Sequence, residues 1–118
     1  MIIPQMIQRR MDLHESFLMG ADFQFLGKLT LNKFDADSIF NNFGIYGSKF
    51  SALSLCNQYS VYGNPYSHLS AFNLYTTTPP YIILRGQLYG RLSKNRYLNE
   101  IVVNPDNIVE WMRQVGLY

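Results

Sequence analysis

Residues 38–53, Ser-Ile-Phe-Asn-Asn-Phe-Gly-Ile-Tyr-Gly-Ser-Lys-Phe-Ser-Ala-Leu, align without a gap on residues 54–69, Ser-Leu-Cys-Asn-Gln-Tyr-Ser-Val-Tyr-Gly-Asn-Pro-Tyr-Ser-His-Leu. Ser38 meets Ser54, Asn41 meets Asn57, Tyr46-Gly47 meets Tyr62-Gly63, Phe50-Ser51 meets Tyr66-Ser67, and Leu53 meets Leu69. A partial third copy begins at Ser70, keeps Asn73 and Tyr75 in register, and ends at Thr76-Thr77-Thr78-Pro79-Pro80. A fixed period requires one local conformation used repeatedly, with each copy packing on the next. Few apolar alternations occur inside the unit. It reads as one helical turn capped by Asp37 or Ser38 and ended by Gly44, followed by tight turns at Tyr-Gly-Ser and Tyr-Gly-Asn-Pro. Phe40, Cys56 and Phe72 then occupy equivalent sites expected to be buried, as do Leu53 and Leu69.

A second duplication brackets the first. Leu26-Gly-Lys-Leu-Thr-Leu-Asn-Lys-Phe34 matches Tyr89-Gly-Arg-Leu-Ser-Lys-Asn-Arg-Tyr97 in residue type, and both read as strands. Residues 81–93 read as a hairpin turning at Arg85-Gly86, with Pro79-Pro80 at its entrance. Asn104-Pro105-Asp106 supplies a cap, a proline at the first helical position and an early acid, and Gly116 supplies the stop. Ile108, Trp111, Met112 and Val115 fall on one face of that helix, over 105–115. A less regular stripe of Met6, Arg10, Leu13, Phe17 and Leu18 suggests a second helix within residues 5–19.

The expected fold is therefore α+β: a small antiparallel sheet from the two duplicated strands, a turn-rich sixteen-residue repeat insert, and a C-terminal helix. At 118 residues the chain is sized for a single domain. Residues 1–24 read as an N-terminal extension, 25–97 as the repeat-containing core, and 98–118 as a C-terminal strand and helix. The single Cys56 forms no intramolecular disulfide and supplies no zinc site alone. No run approaches the ~20 apolar residues of a membrane span. The N-terminus, broken by Pro4, Gln5, Gln8, Arg9 and Arg10, lacks the form of a secretory signal. Cytoplasmic location is the default expectation.

Candidate chemistry is thin. Between Ser38 and Leu84 the sole formal charge is Lys49, so groups suited to acid–base catalysis are nearly lacking there. Cys56 and His68 read as structural positions, His14-Glu15 lacks a second histidine at metal spacing, and Asp35 with Asp37 reads as capping. No cofactor, metal or catalytic residue is expected. Binding candidates are of two kinds. Tyr46, Tyr62 and Tyr66 offer rings from the repeats, and Lys28, Lys33, Arg91 and Arg96 could gather on the duplicated strands.

The string from Leu26 to Tyr97 resembles a group of small bacterial proteins. These carry tandem Ser-Ile-x-Asn-x-Tyr-Gly-x-Tyr-Gly-Ser-x-Tyr-Ser units between Leu-Gly-x-Leu-Ser-x-Asn strands. The resemblance covers about residues 25–97. It implies a shared fold and brings no activity, cofactor or catalytic residue. Ser60 stands where the pattern favours glycine, and Cys56 replaces a variable or aromatic site. Some proteins of that group are exported, so the resemblance sets export beside the cytoplasmic default if the native start differs.

The functional expectation is a non-enzymatic binding or structural module. Its tyrosine- and asparagine-rich, nearly uncharged surface would contact another protein or a second copy of the chain as a homo-oligomer. The alternative is a module for glycans or single-stranded nucleic acid, using the same tyrosines and the basic strand residues.

Overall fold

A computed structural model describes residues 2–118. The order of elements is α1 (Gln5–Asp12), β1 (Phe17–Met19), β2 (Phe25–Lys28), β3 (Tyr81–Leu84), β4 (Gln87–Leu92), β5 (Val102–Val103), a 3-10 turn (Pro105–Asn107) and α2 (Ile108–Gln114). The strands form one sheet in the order β2-β1-β3-β4-β5. All pairings are antiparallel except β4 with β5, so the fold is α+β with a mostly antiparallel five-stranded sheet and a C-terminal helix.

The strand alternation separates two apolar layers. Phe17, Met19, Phe25 and Ile83 join Ile7 of α1 on one face. Leu18, Leu26, Ile82, Leu92 and Val103 join Trp111 and Met112 of α2 on the other, with Ile39, Leu55, Tyr62 and Ala71 from residues 29–80. Full burial of each large apolar side chain contributes about 1.5–3 kcal/mol. The expected helix over 105–115 opens as the 3-10 turn, where Asn104 accepts the Asp106 N–H at 2.9 Å and Pro105 follows; α2 continues from it at Ile108 without a side-chain cap of its own, and Gly116 leaves the helix at φ 82°. The hairpin turns at Arg85-Gly86, both at positive φ.

The N-terminal helix is shorter than expected. It ends at Asp12, and His14 at φ 60° turns the chain into β1. The expected extension 1–24 thus contains β1, which lies between β2 and β3 and is buried along its whole length. Phe17-Leu18-Met19 faces apolar layers on both sides, which a strand permits and a one-faced helix does not.

Between β2 and β3 the chain forms no helix; it forms a ribbon of linked turns. The N–H of Ser38 donates to the carbonyl of Asp35, Asn41 to Ser38, Gly44 to Asn41, Ser48 to Gly44, Ser51 to Ser48 and Ser54 to Ser51. Each turn's last residue is the next turn's first. The steps are three residues long, with one step of four from Gly44 to Ser48, and the series repeats through Ser54, Asn57, Ser60, Asn64, Ser67, Ser70 and Asn73. At most of these positions the side-chain oxygen also accepts the N–H two residues on, as in Phe40 to Ser38, Cys56 to Ser54 and Phe72 to Ser70, each at 3.0 Å. Ser, Asn and Asp favour such local side-chain bonds over a helical ladder, which is why the expected helical turn gives way. The amides of Asn41, Asn57 and Asn73 reach back six residues to the carbonyls of Asp35, Ser51 and Ser67 at 3.2, 3.0 and 3.1 Å. These bonds draw the ribbon into a compact curl.

The four-residue step explains two glycines. A Cβ at Gly47 would overlap the Asn41 carbonyl, and one at Gly63 would overlap the Asn57 carbonyl. Inward positions follow Ser38, Ser54 and Ser70: Ile39, Leu55 and Ala71 are buried, whereas Phe40 and Phe72 are half-buried and Cys56 is exposed. This corrects the expected core site by one residue. In these three turns the residue after the serine points at the sheet and the next one points sideways or outward.

Both bracketing segments enter the same sheet, at β2 and β4, yet each is a strand only in its first half. Beyond Lys28, Asn32 N–H bonds Thr30 Oγ1 and Phe34 N–H bonds Asn32 Oδ1. Beyond Leu92, Asn95 N–H bonds Ser93 Oγ and Tyr97 N–H bonds Asn95 Oδ1. The hydroxyl and amide oxygens thus lead both chains off the sheet in the same way.

Candidate binding surface

Seven aromatic residues share one local arrangement. Phe34, Phe43, Phe50, Tyr59, Tyr66, Tyr75 and Tyr97 each stand two positions after Asn32, Asn41, Ser48, Asn57, Asn64, Asn73 and Asn95. In every case that Asn or Ser side chain accepts the backbone N–H of the aromatic residue, at 2.9–3.1 Å. The residue between them is exposed in all seven units. The rings themselves are exposed by 82% (Tyr75) to 98% (Phe43). The same turn that hides Ile39, Leu55 and Ala71 therefore directs these rings outward, from a backbone held by two bonds per step. Rings presented from a fixed backbone lose little conformational entropy on contact.

The rings form two series. Phe43, Tyr59 and Tyr75 recur at sixteen residues, as do Phe34, Phe50 and Tyr66. Of the tyrosines expected on the surface, Tyr66 is there. Tyr62 is not: it is 6% exposed, and its hydroxyl donates to Asp22 Oδ2 at 2.6 Å. Burial first, and the Asp22 carboxylate second, raise the Tyr62 phenol well above its ordinary range. Tyr46 is half-buried, its ring edge-on to Phe25 at 5.0 Å, and burial raises its phenol as well. Both tyrosines precede the glycines of the four-residue step, where the ribbon turns its side chains toward the sheet. They are packing residues.

The basic candidates also separate. Lys28 is 3.1 Å from Asp35, whose carboxyl is held below its usual range chiefly by the Asp37 N–H and then by Lys28. Arg91 is buried, donating to the Pro79 carbonyl at 2.7 Å and to Glu100 at 3.2 Å while lying 3.8 Å over the Tyr81 ring. These two hold the fold together. Lys33 and Arg96 are exposed, immediately before Phe34 and Tyr97. Lys49, before Phe50 and likewise exposed, joins them and was not among the expected site residues. Among the described residues none of these three cations makes an ion pair, whereas Arg10, Lys28, Arg91 and Lys94 all do. No carboxylate side chain occurs between Ser38 and Asn99.

The signal for the exposed rings was present as Asn or Ser followed two residues later by an aromatic. It is hard to separate from core patterning, because rings in a repeat usually pack against its neighbours. Cys56 is an exposed thiol, and His68 contributes its backbone carbonyl, which accepts from Thr76 Oγ1 and Thr78 Oγ1. Among the described residues no three His, Cys, Asp or Glu side chains gather as a metal site, and no helix is long and apolar enough to cross a membrane. No family model matches the chain, and neither a curated protein nor a solved structure matches it.

Proposed function

We propose that the chain is a non-enzymatic binding module whose turn ribbon displays aromatic rings for contact with a second copy of itself or another protein. The carrying observation is the set of seven rings exposed by 82% or more, each on a side-chain-capped turn. Large exposed apolar patches on a soluble domain mark interaction surfaces, and aromatic residues with few charges are what interface centres contain. Phe43, Tyr59 and Tyr75 suit that role best, since Asn42, Gln58 and Leu74 leave them without adjacent charge. The segments 26–34 and 89–97 are read as duplicated flanks of a repeat insert. This agrees with the resemblance to the bacterial group and with the matching bonds at Asn32 and Asn95.

Sedimentation velocity at micromolar concentration tests the reading. The wild-type chain is expected to exceed the 13.7 kDa monomer mass and to shift with dilution. Replacing Phe43, Tyr59 and Tyr75 together by serine is expected to return it to the monomer. A wild-type monomer throughout a tenfold dilution, or an oligomer indifferent to the substitutions, contradicts self-association through these rings.

A further inference from the structure

One concavity on the ribbon, of about 590 Å³, is lined by Lys49, Phe50, Cys56, Asn57, Gln58 and Tyr59. It falls within the ~300–1,000 Å³ of typical ligand clefts. Phe50 closes one repeat's outer turn and Tyr59 the next repeat's, so exposed rings from both series border one space. Lys49 is the cleft's sole charge and has no carboxylate partner among the described residues. Asn57 is already committed, its Oδ1 to the Tyr59 N–H and its Nδ2 to the Ser51 carbonyl.

From this geometry we infer that the Phe50–Tyr59 cleft binds single-stranded nucleic acid, the rings stacking on bases and Lys49 contacting a phosphate. The inference rests on the reading of the exposed rings as a contact surface. A sugar chain needs several fixed donors and acceptors for its hydroxyls, whereas the groups left beside Asn57 (the Lys49 ammonium, the Gln58 amide and the Tyr59 hydroxyl) stand on exposed side chains and not in a fixed array. An apolar protein segment would cover Lys49 without a counter-charge. A base on each ring with a phosphate at the ammonium engages both rings and the cleft's one charge, which is the recognition mode of sequence-tolerant single-strand binders. Sixteen residues earlier, Lys33-Phe34 repeats the pairing of a free cation with an exposed ring. Arg96-Tyr97 differs, because the concavity containing Arg96 also contains Glu100 and Asp106.

The test is fluorescence anisotropy with a dye-labelled oligothymidylate of about twelve nucleotides. Binding is expected at about 50 mM salt. Phe50→Ala and Tyr59→Ala are each expected to weaken it at least about fivefold, and Phe50→Tyr, which keeps a stacking ring, to leave it unchanged. Lys49→Ala is expected to reduce the slope of log affinity against log salt by about 0.7. Inorganic polyphosphate, anionic but without bases, is expected to compete poorly. No binding by the wild type, equal competition by polyphosphate, or full binding by both alanine variants overturns the inference. Sedimentation of the same samples separates the two readings. An oligomer that ignores the oligonucleotide removes this inference alone, and a monomer that binds it removes self-association alone.

Discussion

Asn57 is the residue on which the ribbon's geometry can be tested most sharply. It is 9% exposed, accepts the Tyr59 N–H at 2.9 Å and donates to the Ser51 carbonyl at 3.0 Å. Asn57→Ala removes both bonds. At a net ~1 kcal/mol each, the loss is about 2 kcal/mol, rising by ~1 kcal/mol or more if the Ser51 carbonyl stays dry. For a domain of this size ~1 kcal/mol corresponds to a shift in Tm of about 4 °C, so the variant should melt about 8 °C early. Asn57→Ser keeps an oxygen able to accept the i+2 N–H, as Ser48 and Ser51 do at 3.1 and 3.3 Å, and lacks only the amide donor. Its expected loss is about half, ~1 kcal/mol. Asn42, exposed at a turn's first position, is the control and should change stability by less than ~0.5 kcal/mol on replacement by alanine. The assay is thermal unfolding followed by far-ultraviolet circular dichroism. If Asn57→Ala melts with Asn42→Ala, or Asn57→Ser loses as much as Asn57→Ala, the linked-turn account of the repeat is wrong.

Three further outcomes are expected. Gly63→Ala forces a methyl against the Asn57 carbonyl and should cost about 1–3 kcal/mol in urea unfolding, whereas Gly20→Ala meets mainly the movable Asp22 side chain and should cost less. Stability should fall at both pH extremes through identifiable groups. Asp35, with its folded pKa lowered, contributes above its unfolded value of about 3.9 and loses that contribution as pH falls through the folded value; Tyr62, with its folded pKa raised, contributes below about 10 and loses it as pH rises. Tyr62→Phe should therefore flatten the alkaline limb of a Tm-against-pH profile while leaving the acid limb in place. The exposed Cys56 should react with a thiol reagent in the native protein as fast as in urea, and strong native protection would restore its expected burial.

The parts legible in the sequence were those whose signals are local and exclusive. Asn104-Pro105-Asp106 with Gly116 admits little besides a helix, and Arg85-Gly86 between apolar runs admits little besides a hairpin turn. The recurrence of Ser, Asn and Gly along residues 38–75 was visible in the sequence, but not the three-residue step of linked turns that these residues form. Ser, Asn and Gly mark turns of many kinds, and only their continuation from Asp35 to Asn73 reveals one turn linked to the next. The core lies one residue before the equivalent Phe40, Cys56 and Phe72 positions, because equivalence between copies shows that residues share an environment and not whether that environment is buried. In a turn ribbon the side chain's place is set by which turn it belongs to, toward the sheet or away from it, as well as by its place in that turn, so an alanine can be wholly buried and a phenylalanine 98% exposed. The binding surface was hidden by the same rule. Tyr62 and Tyr66 are four residues apart and look alike, yet one anchors the ribbon to Asp22 while the other faces outward.

Hydroxyl-radical footprinting, read by mass spectrometry at a dilute and a concentrated sample, bears most directly on the ring surface. The dilute protein should be oxidised quickly at Phe43, Tyr59, Tyr66, Tyr75 and Tyr97 and slowly at Tyr62. At the concentration where sedimentation shows association, Phe43, Tyr59 and Tyr75 should become protected while Tyr62 stays unchanged. Equal oxidation of these three rings at both concentrations, or a Tyr62 as reactive as Tyr59 in the dilute sample, would contradict the account.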